Sequence, residues 1–117
     1  MSSPHDKQAV VAAVLASLDA GETPERIALR DAVRALLAAL AARVPGRSVE
    51  VRVPPYGAIQ CVEGPRHTRG TPPNVVEMDP ETWVRLATGR LSWEDAITHG
   101  RLRISGNRAD ISAYIPI

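Results

Sequence analysis

The period of the apolar residues changes at Pro45-Gly46, and the change commits the chain to a fold that joins helices to a sheet. Before that point Leu29, Val33, Leu36, Leu37, Leu40 and Val44 recur at spacings of three and four, one apolar face of a helix. Beyond it Val49, Val51 and Val53 alternate with Glu50 and Arg52, the signature of a half-buried strand, which Pro54-Pro55 closes. With 117 residues there is room for one core of ordinary size.

Local stop and start signals divide the remainder. Ser3, Pro4 and Asp6 open a first helix whose stripe is Val10, Val11, Val14, Leu15 and Leu18, and Gly21 stops it. This opening segment lacks the basic, apolar and cleavage regions of a signal peptide, so it reads as a helix of a cytoplasmic protein. Thr23-Pro24-Glu25 starts the second helix. Ala58 to Val62 is a short apolar run fit for a central strand, residues 64–73 are a loop by composition, and Asn74 to Met78 returns to strand character. Asp79-Pro80-Glu81 combines a cap, a first-turn proline and a first-turn acid, with Met78 and Trp83 placed as a hydrophobic staple. Gly89 ends that helix, Ser92-Trp93-Glu94-Asp95 opens a shorter one, and Gly100 stops it. Arg101 to Ser105 sets Leu102 and Ile104 against arginines as a strand near an edge. The expected organisation is one domain over 1–117, helical over 1–45, with sheet over 46–117 and helices at about 79–88 and 92–99.

The charge balance, 14 basic against 13 acidic residues for a net +1, lacks the footprint of a nucleic-acid binder. A single cysteine, Cys61, leaves no internal disulfide and no multi-cysteine zinc site, and its apolar surroundings suit a small buried thiol. His5, His67 and His99 share no ligand spacing, no phosphate-cradling glycine loop occurs, and no nucleophile sits beside a base. Neither a metal, a cofactor nor an enzymatic activity is expected, and no apolar run is long enough for an integral membrane segment. Arg26, Arg30 and Arg34 form a row diluted by Glu25 and Asp31, which reads as a solvated face. The loop residues Arg66, His67 and Arg69 are the candidates for an anionic head group or an acidic partner, with a plain solvated loop as the alternative.

The stretch from Asn74 to Asp110, containing MDPETWVRLATGRLSWEDAITHGRLRISGN, resembles the second half of sterol carrier protein 2-like domains. The shared pattern is the acidic helix start at Asp79, the turn Leu86-Ala87-Thr88-Gly89, the short helix from Ser92 to Gly100, and the strand ending at Gly106-Asn107. The whole chain looks like the compact bacterial branch called sterol carrier family proteins. The resemblance implies an α+β fold in which a small, mainly antiparallel sheet of four to five strands is covered by helices, two of them N-terminal. It also implies an internal apolar tunnel for fatty acids, fatty acyl-CoA or sterol-like molecules, bound without being changed. On that basis the helices would line the tunnel with Trp83, Leu86, Trp93 and Ile97. The strands and tail would add Val76, Leu102, Ile104, Ile111 and Tyr114. The competing reading is that these side chains fill their own core, leaving a protein-interaction or regulatory module that keeps the fold. Short edge strands and an apolar tail also leave room for a homodimer or a protein partner.

Overall fold

The computed structural model describes residues 4–64 and 74–117. Two helices come first, α1 (Pro4–Asp19) and α2 (Arg26–Arg43), followed by strands β1 (Val49–Val53), β2 (Gly57–Cys61) and β3 (Asn74–Glu77). Helices α3 (Pro80–Ala87) and α4 (Trp93–Thr98), strand β4 (Arg103–Ser105) and a 3-10 turn at Ser112–Tyr114 complete the order. Among the described residues no helix is long and apolar enough to cross a membrane.

The strands form one mixed sheet in the order β2-β1-β3-β4. β1 pairs antiparallel with β2 and parallel with β3, and β3 pairs antiparallel with β4. The alternation read in Val49, Val51 and Val53 turns these side chains inward, while Glu50 and Arg52 share the opposite face and bond to each other. Register carries the two faces across the sheet. Cys61 stands opposite Val49 and Val76 opposite Val51 on the buried face, whereas Gln60 pairs with Glu50 and Glu77 with Arg52 on the polar one. The sheet is therefore covered by helices on one side and presents a charged surface on the other.

Helix α2 supplies the cover. Ala32, Val33, Leu37 and Leu40 are buried, as the spacing of three and four requires, and α1 packs alongside through Val14 and Leu18. α3 joins this layer: the Trp83 indole N–H donates to the Val33 carbonyl oxygen at 3.2 Å, so the largest buried side chain leaves no polar atom unpaired. Among the described residues, Val33, Leu40, Val51, Val53, Val76 and Trp83 pack between helices and sheet, all at 0% exposure.

Three local expectations are corrected. β2 is an edge strand rather than a central one, and its run reads apolar because α2 covers it, with Leu37 beside Gly57. The second helix starts at Arg26, because Glu25, not Thr23, is the cap and accepts from the Ile27 N–H. β4 is only three residues long and exposed throughout. Ile104 lies opposite Val76 on the helix-facing side, yet stays 44% exposed at the sheet's rim.

Candidate ligand-binding site

Helix α3 begins where its sequence says it should. The Asp79 carboxylate accepts from the Thr82 N–H at 3.1 Å and from the Thr82 hydroxyl at 2.5 Å, and Pro80 occupies the first turn. It ends in paired bonds, Gly89 N–H to the Leu86 carbonyl and Arg90 N–H to the Arg85 carbonyl, which need a left-handed residue at Gly89, φ +79°. The chain then turns through Leu91 to Ser92, whose hydroxyl accepts from the Asp95 N–H and starts α4. Trp93 and Ala96 point inward from α4, while Ile97 is 50% exposed.

The C-terminal tail faces these two helices and is fastened at both ends. Buried Asn74, at the start of β3, donates through Nδ2 to the Ser48 carbonyl and accepts through Oδ1 from the Arg108 N–H, both at 2.9 Å. Ile111 follows, fully buried, and the Asp110 carboxylate accepts from the Ser112 N–H in a local turn. At the far end the Ile117 N–H donates to the Ala87 carbonyl at 2.9 Å and Arg43 donates to the Pro116 carbonyl at 3.1 Å.

Between α3, α4 and this tail lies an open groove of about 600 Å³. Leu86, Leu91, Trp93 and Ile97 make its helix side, with Ile115 and Pro116 opposite. Ser92, Glu94, Asp110 and Ser112 contribute its polar atoms, and among the described residues no Lys, Arg or His lines it. Such a surface holds an apolar body by excluding water and orients it by a few polar contacts.

Of the side chains expected to line a tunnel, Leu86, Trp93 and Ile97 line this groove. Val76, Trp83 and Ile111 lie in the fully buried core, Leu102 and Tyr114 pack partly buried against it, and Ile104 stands at the exposed rim of β4. Arg66, His67 and Arg69 lie outside the described residues. The sequence reading missed Leu91, Ile115 and Pro116 as lining residues. An apolar tail was visible, but its return to Ala87 has no local signature.

Other chemistry has little footing among the described residues. Cys61 is fully buried on the helix side of β2, and burial pushes its thiol up from 9.0 to about 11, so it stays protonated at neutral pH. Among the described residues no group of three His, Cys, Asp or Glu side chains is placed to hold a metal ion. The serine hydroxyls at the groove have no histidine among the described lining residues to activate them.

No curated protein matches the chain. Residues 25–117 match the family described as bacterial SCP ortholog, a span that takes in α2, the whole sheet, α3, α4 and the tail. With helices covering one face of a small α+β sheet, as the resemblance in the sequence implied, the chain belongs to this bacterial sterol carrier protein-like family.

Proposed function

We propose that this protein is a non-enzymatic, cytoplasmic carrier of an apolar small molecule of the fatty acyl or sterol-like kind, built as one domain and holding its cargo in the groove between α3, α4 and the tail. The observation that carries the reading is the groove itself. Its volume of about 600 Å³ lies within the size of small-molecule sites, and half-exposed Ile97 leaves apolar surface open beside it. Family membership supports a carrier role. Burying about ten methylenes there would yield roughly 8 kcal/mol before the cost of association, which corresponds to micromolar binding or weaker.

Native mass spectrometry of freshly purified protein, followed by solvent extraction, tests this directly. A stoichiometric acyl or sterol-like mass, lost in Ile97→Asp, is the expected result. Ile97 is half exposed, so the variant should fold and lose only the groove's apolar lip. A clean unliganded mass that gains nothing on adding fatty acid, acyl-CoA, sterol or alkylamine would sink the carrier reading. The filled space between helices and sheet would then favour an interaction or regulatory module that retains the fold, with residues 66–69 as the first segment to mutate.

A further inference from the structure

We infer that Arg43, on the last turn of α2 and behind the groove, is a positioning residue that latches a movable wall: the tail beyond Ile111 swings off the helices to pass the cargo, and the bond from Arg43 to Pro116 sets how often it does so. The inference rests on the carrier reading and adds the residue that times loading and release.

The sides of the groove are held very unequally. α3 is rooted in the core through Trp83, Val84 and Leu86, and α4 through Trp93 and Ala96. The head of the tail is pinned by the Arg108 N–H bond to Asn74 and by fully buried Ile111. Over residues 112–117 no side chain is fully buried: Tyr114, Ile115 and Ile117 pack only partly against the core, and Pro116 is exposed. Among the described residues this stretch returns to the helices through the Ile117 N–H to Ala87 and the Arg43 guanidinium to Pro116. A stretch with few buried contacts and exposed hydrogen bonds opens locally at far lower cost than the whole domain unfolds. Ile115 and Pro116, the groove wall opposite Leu86, Trp93 and Ile97, belong to that stretch, with Ile111 as its pivot. Swinging it aside lets an apolar chain leave sideways while α3, α4 and the core stay in place.

The latch has a kinetic signature. An exposed bond of this kind shifts an equilibrium by about a factor of two to five, so losing it raises the opened fraction by that factor with cargo present or absent. The closed form still dominates in both states, so affinity hardly changes while entry and release accelerate together. A residue that touched the cargo would instead change the affinity.

The test is stopped-flow binding of a dansyl-labelled undecanoate to the full chain, with release followed by displacement with excess laurate. Arg43 is exposed at a helix end, so Arg43→Met should fold, keeping an unbranched stem and losing the donor. Both rate constants should rise about twofold to fivefold, with Kd held within about twofold. Arg43→Lys, which keeps a cationic donor, should return the rates toward those of the parent. Hydrogen exchange at the Ile117 amide, without any probe, should quicken in Arg43→Met by the same factor, and Ile117→Pro, which lacks that N–H, should speed entry and release as well. Rates in Arg43→Met equal to the parent's, or a changed affinity with an unchanged entry rate, would overturn the latch and leave the carrier reading intact. A parent chain that binds no probe would overturn both.

Discussion

Replacing Asn74 by alanine should be among the most damaging single changes in this protein, although the residue is polar and carries no chemistry. Its side chain is 4% exposed and joins three segments: β3, on which it sits, the Ser48 carbonyl ahead of β1, and the Arg108 N–H at the head of the tail. Asn74→Ala deletes two hydrogen bonds worth about 1 kcal/mol each and strands the buried Ser48 carbonyl at a further cost of about 1 kcal/mol or more. The sum is about 3 kcal/mol, which lowers the melting temperature of a domain this size by roughly 10–15 °C. Urea unfolding and a thermal melt, read side by side, measure it.

Asn74→Asp separates the two bonds. It keeps the acceptor for Arg108 but sets a carboxylate oxygen against the Ser48 carbonyl, a mismatch that only the protonated acid, as a donor, relieves. Burial and the facing carbonyl raise the folded-state value of that carboxyl above its unfolded value of about 3.9. Its contribution is then fully present below the unfolded value and is lost as pH rises through the folded one. The stability gap between this variant and the parent should therefore narrow as pH falls from about 7 toward 4. A cost below about 1 kcal/mol for Asn74→Ala, or a gap for Asn74→Asp that ignores pH, would refute the reasoning.

The Cys61 thiol, raised from 9.0 to about 11 by burial, ionises in the unfolded chain before it does in the folded one, so stability should fall between those values by about 2–3 kcal/mol relative to Cys61→Ala. Parallel pH profiles in urea unfolding for the two proteins would contradict that. Gly89→Ala and Gly100→Ala each force a side chain into left-handed backbone, at φ +79° and +67°, and each should cost about 1 kcal/mol. Only the methyl at position 89 touches the groove wall, 3.4 Å from Pro116, so only that variant should also weaken any fatty acid binding in the groove. Trp83→Phe removes the bond to the Val33 carbonyl and part of the largest buried ring, and should lower stability by about 2 kcal/mol in the same assay.

What the sequence made legible was local. Asp79 with Pro80, Ser92, and the glycines at 89 and 100 set the ends of α3 and α4 through bonds that span at most about five residues, so their positions could be read directly. The alternation at Val49, Val51 and Val53 likewise set which way β1 faces. Strand order was not legible. The parallel pairing of β1 with β3, and the edge position of β2, depend on chain segments brought together from a distance. The two tryptophans show the same limit at the site. The resemblance put both among the tunnel lining, but only packing decides that Trp83 meets α2 while Trp93 meets a groove.

That difference explains why the groove lies outside the main layer. The helix–sheet space is closed by side chains that need nothing further, from Val33 and Leu40 above to Val51 and Val76 below. α4 and the tail are attached by a few anchors, Trp93, Ala96 and Ile111 inward and the Ile117 bond to Ala87, which leaves Ile97, Ile115 and Pro116 facing one another across open space. Apolar surface left in that arrangement gains about 25 cal/mol for each Å² that a cargo covers, without any rearrangement of the core. The protein should therefore fold cooperatively when empty, and a cargo held at about a hundred times its dissociation constant should add about 2.7 kcal/mol to that stability. A core packed in this way would let the proposed carrier load and release a ligand while remaining folded.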